Sequence, residues 1–265
     1  MSDNNILVEQ KAAMGSHTTQ IATQNNYHGL TPKEACDLAM QMFHDNFPKL
    51  QEAAREIAEE RVSELMSKIA DKMGEKQLTD MTPFGDPDVQ YVMYEAQKNY
   101  ARFGTQDMLS NLSELIVNRV QYNHEKICLK VAIDKAIEIV PMLTAEQLDT
   151  LSLLFLFSRT KNTKIHNLDE LKRFLDEISV VFKKADLSSF SYLNMLGCLE
   201  LYLYDPVEKC AESYNFKEKD VKKICPEIIK QTAGDYSTSY IGTILAIVNA
   251  ELKLNKKFDP SFWIY

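Results

Sequence analysis

Apolar residues along this chain recur mostly three and four positions apart, the spacing that aligns them on one face of an α-helix. The longest run is Leu50, Ala54, Ile57, Ala58, Val62, Leu65, Met66, Ile69 and Met73. Arg55, Glu56, Glu59, Glu60, Arg61, Glu64 and Lys68 occupy the other face. Thr31 supplies an N-cap, Pro32 suits the first helical position, and Glu34 completes a capping box. Gly74 supplies the stop. Pro48 lies inside the pattern, and a proline there removes one backbone bond and crowds the preceding turn. The pattern therefore predicts a long helix kinked or briefly broken near Asn46 and Phe47, a short helix over 32–46 leading into a longer one. A helix beyond about 20 residues with one apolar stripe needs other helices to cover it.

The same periodicity continues downstream. Pro83, Gly85 and Pro87 mark a loop after Gly74, and Asp86 with Pro87 opens a helix whose inner face is Val89, Val92, Met93, Ala96 and Tyr100. Gly104 ends it. From Thr105 a third pattern runs through Leu115, Ile127 and Ile137 to Pro141, with His124 at a bend or simply a polar position. Thr144 and Gln147 form a second capping box. The Leu151–Phe157 run is apolar on all sides, which predicts a buried central helix, a short strand being the alternative. Asn167 caps the next helix. Further helical patterns cover 188–204, 208–211, 217–231 and 239–252. The expected fold is all-α: 31–141 an elongated helical region with the kinked helix and helical hairpins, 142–265 a compact helical domain, and 1–30 a flexible lead with a β-prone segment. Scarce Gly and Pro, eight of each in 265 residues, agree with helices over a turn-rich β fold.

The β-prone segment stands out by charge. No Lys, Arg, Asp or Glu occurs from Ala12 to Pro32, in a chain otherwise about a quarter charged. Within it Ser16, Thr18, Gln20, Ile21, Gln24, Asn25 and Tyr27 suit extended pairing, and amide side chains ladder between identical neighbours. A lone polar strand does not stand in water. Two readings follow: a disordered tail, or a collar in which copies from several subunits pair, making the protein a homo-oligomer. At the other end, Phe262, Trp263 and Tyr265 form an aromatic terminus expected to dock on the body or on a neighbouring subunit.

The net charge of -8 argues against a sequence-independent nucleic-acid binder, although a local basic patch stays compatible with it. Five widely spaced cysteines, Cys36, Cys128, Cys198, Cys210 and Cys225, write neither a zinc site nor a disulfide framework, which fits a reducing cytoplasm. No apolar run reaches the ~20 residues of a membrane span. Phosphate-loop, dinucleotide, zinc-protease and nucleophile-elbow motifs are all missing, so no catalytic residue, metal or cofactor is assigned. Glu56, Glu60 and Glu64 at i, i+4 spacing read as a solvated acidic face or as carboxylates of a metal site. His44 beside Asp45, and His124 beside Glu125, are polar helix positions or ligands.

Several stretches together carry a resemblance. They are Gln10, Gly15, Ser16, Gln20, Ile21 and Asn25; Gly29-Leu30-Thr31; Ala53 to Arg61; Asp86 to Gln90; Pro141 to Leu148; and Trp263-Ile264. Their order resembles an uncharacterised family of bacterial proteins, to which no activity is attached. Ala96 through Phe157 is similar in layout to helical bacterial proteins linked to abortive infection, which implies phage defence. The expected function is a non-enzymatic, self-assembling scaffold or regulatory protein of the bacterial cytoplasm that contacts a protein partner. The alternatives are a metal-dependent hydrolase or nuclease with an acidic helical site, and a membrane-disrupting effector exposing a helix such as Tyr240 to Ala250.

Overall fold

The computed structural model describes residues 32–182, 185, 187–201, 205–224, 226, 228 and 236–264. The segment Ser16 to Tyr27, the Thr31 cap and Tyr265 lie outside the described residues. The chain divides into two compact units, Met1–Glu52 and Ala53–Tyr265.

Helix α1, Pro32–Glu75, passes through Pro48 without interruption. The expected short helix followed by a longer one is thus one helix. Proline deletes a single N–H from the ladder, and the bonds on either side carry the helix across that gap.

In the second unit α2 (Pro87–Phe103), α3 (Gln106–Gln121), α4 (Ile127–Ile139), α5 (Ala145–Ser158) and α6 (Leu168–Val181) follow. The short α7 (Phe190–Met195), α8 (Pro206–Tyr214) and α9 (Glu218–Ile224) precede α10 (Tyr240–Leu254). The only sheet among the described residues is one antiparallel pair, β1 (Leu199–Leu201) and β2 (Tyr236–Thr238), so the fold is all-α. No described helix is long and apolar enough to cross a membrane.

Two expected helices are divided. The pattern from Thr105 to Pro141 breaks at Tyr122–Lys126, where the polar Asn123 and His124 turn the chain and the Glu125 amide donates to the Tyr122 carbonyl at 3.0 Å. The pattern over 188–204 ends after α7 because Gly197 takes the left-handed φ of +73°, and Leu199–Leu201 then pairs as a strand.

The core explains the helix order. Residues Leu148–Phe157 of α5 are all buried, as are Gly242–Glu251 of α10, and the two helices pack against each other, with α4 also against α10. A helix apolar on every side has to sit inside. Buried residues from Leu65 to Ile264 belong to this one core, on both sides of Pro141.

The α1 stripe enters it only in part. Leu65, Ile69 and Met73 are buried, but Ile57 is 49% exposed, Met66 37% exposed, and Ala54 faces solvent. Two polar clamps fix the covered end. Lys72 of α1 donates to Oε2 of the buried Glu114 in α3 at 2.6 Å, and Lys76, one residue past the end of α1, forms an ion pair with Oε1 at 2.5 Å. Arg61 Nη1 donates to the carbonyls of Ala101 (2.8 Å) and Arg102 (3.2 Å), capping the end of α2 beside Gly104.

Candidate functional site

A cleft of about 830 Å³ opens where α4, the end of α5, the two strands, α8, the start of α10 and the C-terminal turn meet. Its centre is Arg159, the residue that closes α5. Arg159 Nε donates to Ser237 Oγ at 2.8 Å, and its Nη2 donates to Glu200 Oε1 at 2.5 Å. The strand register explains why one guanidinium finds both partners: Glu200 lies directly opposite Ser237, and opposed residues share a face of the pair. The Arg159 carbonyl accepts from Trp263 Nε1 at 3.0 Å, so the aromatic terminus is tied to the same residue.

The lining carries Lys135, Arg159 and Lys209 against the single carboxylate Glu200, a positive balance in a protein of net charge -8. Concave walls of low polarisability concentrate such a field. Lys135 also pairs with Glu138 at 2.7 Å, and Lys209 with Glu212 at 3.5 Å. These are exposed pairs of the kind that adds little. The bond to Glu138 raises the Lys135 pKa, so the ammonium stays charged. Hydroxyls of Ser158, Ser213, Ser237 and Ser239 supply further donors and acceptors, and Tyr236, Tyr240 and Trp263 supply flat walls. Such a lining recognises an anionic group attached to an apolar or aromatic body.

Ser239 holds the cleft's edge. It caps α10 by accepting from the Gly242 amide at 3.2 Å, and its Oγ donates to the Gly197 carbonyl at 2.6 Å. Gly242 is required here, since a Cβ would stand 1.9 Å from the Cys198 carbonyl oxygen. Cys198 is itself buried, and burial pushes its thiol up to about 12, so it is an inert packing group.

The residues singled out from sequence fall as follows. Phe262 is 76% exposed at the cleft, while Trp263 is half-buried with its ring 5.0 Å from Phe155 in an edge-on contact. Tyr265 and the assembly residues Ser16, Thr18, Gln20, Ile21, Gln24, Asn25 and Tyr27 lie outside the described residues. Glu56 and Glu60 are exposed, and Glu64 accepts from the Tyr100 hydroxyl at 2.5 Å and from Gln106 Nε2 at 3.1 Å. Those bonds lower the Glu64 pKa, with Tyr100 the larger contributor. Among the described residues no three His, Cys, Asp or Glu side chains gather as a metal site, and His44 and His124 are exposed. The helix Tyr240–Ala250 offered to membranes by one reading is almost wholly buried. Sequence reasoning did not find Arg159, Glu200, Ser237, Lys135 or Lys209. They come from separate segments: the strand pairing sets Glu200 beside Ser237, and the packing of α5 on β2 brings Arg159 to both.

A protein-family model matches residues 29–235 of the chain. No curated protein matches it, and no solved structure does.

Proposed function

We propose that this chain, which belongs to the uncharacterised family matched over residues 29–235, is a non-enzymatic bacterial scaffold or regulatory protein that self-assembles and meets a partner at the Arg159 cleft. The observation that carries the reading is the uncovered part of the α1 stripe. Leu65, Ile69 and Met73 continue into the core, whereas Ile57 and Ala54 on the same face stay in solvent. An apolar stripe of that length is stable when something covers it. The occupant assigned here is a second copy of the chain. The stripe is flanked by both signs of charge, including the Arg55–Glu59 pair, so an antiparallel copy presents the complement of each. The uncharged segment over 16–27 is a further contact between copies. The cleft, with three cations to one carboxylate, suits an acidic segment of a partner protein carrying an aromatic or aliphatic anchor. The likeness of Ala96 through Phe157 to abortive-infection proteins supplies phage defence as the setting.

Light scattering and circular dichroism on the full chain test the assembly. The wild type is expected to be oligomeric at micromolar concentration, and Ile57→Glu and Ile21→Asp each to give smaller species with unchanged helical content. A monomeric wild type, or variants of unchanged mass, would refute it. The cleft is tested with a fluorescent Glu/Tyr copolymer. Reversing Lys135 and Lys209 to Glu together is expected to weaken its binding tenfold or more, and equal binding removes the partner assignment.

A further inference from the structure

Of the three cations that line the Arg159 cleft, two pair within their own helices, Lys135 with Glu138 in α4 and Lys209 with Glu212 in α8. Neither of those carboxylates lines the cleft. Arg159 differs. Its partner Glu200 comes from β1, 41 positions along the chain, and is the one carboxylate of the described lining.

The two members of this pair are held unequally. Arg159 Nε donates to the hydroxyl of the buried Ser237 at 2.8 Å, the Arg159 carbonyl accepts from Trp263 Nε1 at 3.0 Å, and the Arg159 amide donates to the Phe155 carbonyl at 2.9 Å. Its side chain is 20% exposed. The Glu200 side chain is 47% exposed and, among the described residues, bonds to Arg159 alone. The arginine therefore keeps its other anchors without Glu200, whereas Glu200 without the arginine is a solvated carboxylate on a three-residue strand.

A guanidinium has five donors, and Ser237 and Glu200 take one each. What Glu200 uses up is the charge more than the donors. A second carboxylate brought to Arg159 meets the repulsion of the first, and an exposed pair is weak enough to exchange. We propose that Glu200 is an internal competitor and thereby the residue that sets what the cleft accepts: it neutralises Arg159 in the free protein and turns to solvent when a carboxylate of the partner takes its place. A neutral segment has nothing to exchange for Glu200 and is turned away. An acidic segment replaces one ion pair by another and adds its contacts with the aromatic walls. The inference rests on the reading of the cleft as the site of an acidic partner, and it gives Glu200 a sign opposite to that of the cations beside it: its removal strengthens binding.

Two probes test it on the full chain at constant ionic strength. Benzoate, a carboxylate on an aromatic ring, is titrated against the Arg159 side-chain Nε–H signal in ¹⁵N NMR spectra, assigned with Arg159→Lys, and the fluorescent Glu/Tyr copolymer is titrated in parallel. Glu200→Gln and Glu200→Ala are each expected to bind both probes about threefold or more tightly than the wild type, the modest gain that removing a weak competitor gives. Glu208→Gln removes the same charge from an exposed position beside Lys209 but outside the lining, and is expected to change either affinity less than about twofold. Glu200 variants that bind benzoate no more tightly than the wild type overturn the proposal, and so does an equal gain in Glu208→Gln, which marks a general effect of net charge. A copolymer that binds the wild type and the Glu200 variants alike overturns it too. A copolymer that binds none of the chains removes the acidic-partner reading instead, and benzoate then decides the role of Glu200 by itself.

Discussion

Glu114 shows how one buried charge fixes α1 to the body. Burial favours the protonated form of this carboxyl, but the bonds from Lys72 and Lys76 outweigh it and hold the pKa at about 2. A carboxyl whose folded pKa lies below its unfolded value stabilises the fold above the unfolded pKa and loses that contribution as pH falls through the folded one. The window here runs from about 4.5 down to about 2, and the contribution is on the order of 3 kcal/mol. Urea midpoints are expected to fall across that window in the wild type and to be much flatter in Glu114→Gln. At neutral pH the variant loses about 3–5 kcal/mol, because Lys72 and Lys76 are left beside a neutral group. Gly242 is the second position where one atom decides. Gly242→Ala puts a Cβ against the Cys198 carbonyl, backbone against helix, and at least about 3 kcal/mol is expected to be lost. A midpoint within error of wild type would show that the strand pair and α10 shift freely. Gly104→Ala is strained differently, through a φ of +61° and the Arg61 guanidinium that fills the space of a side chain.

At the scale of elements, four of the helix starts written in the sequence are those seen. Asp86 accepts from the Asp88 amide, Thr105 from Met108, Asn167 from Glu170, and Thr144 with Gln147 closes a reciprocal box. Removing one side of that box with Thr144→Ala is expected to cost about 1 kcal/mol, read as a shifted urea midpoint with unchanged slope. Caps are legible because the donor and acceptor lie within three residues of each other. The α5 core is legible for a similar reason, since a run apolar on all sides has nowhere to go but inside. What stayed hidden depends on distant residues. Leu199-Glu200-Leu201 is too short to announce a strand, and its partner Tyr236–Thr238 lies over thirty positions away. The Arg159 cleft inherits that concealment, because Glu200 and Ser237 become neighbours only through the pairing. At Pro48 the sequence leaves a kink or a short break open, and the ladder on both sides carries the helix through without a break.

The whole molecule separates the part that folds from the part assigned to assembly. Among the described residues, every member of the buried core, from Leu65 to Ile264, lies in the unit that begins at Ala53, and so do the Glu114 clamp and the cleft. The C-terminal turn belongs to that body: Phe258 and Trp263 pack edge-on against Phe155, and Ile264 is buried. A chain starting at Ala53 is therefore expected to unfold cooperatively, with a melting temperature within about 4 °C of the full chain measured at a concentration where both are monomeric, a shift of about 1 kcal/mol for a body of this size. It also lacks the uncharged segment and the first turns of α1, so light scattering is expected to find it smaller than the wild type at the same molar concentration. The two measurements bear on separate claims. A truncated chain that does not fold would show that the first unit is needed for the core. One that folds and keeps the full oligomeric number would place the contact between copies within residues 53–265, on the Ile57 stripe rather than on the segment over 16–27.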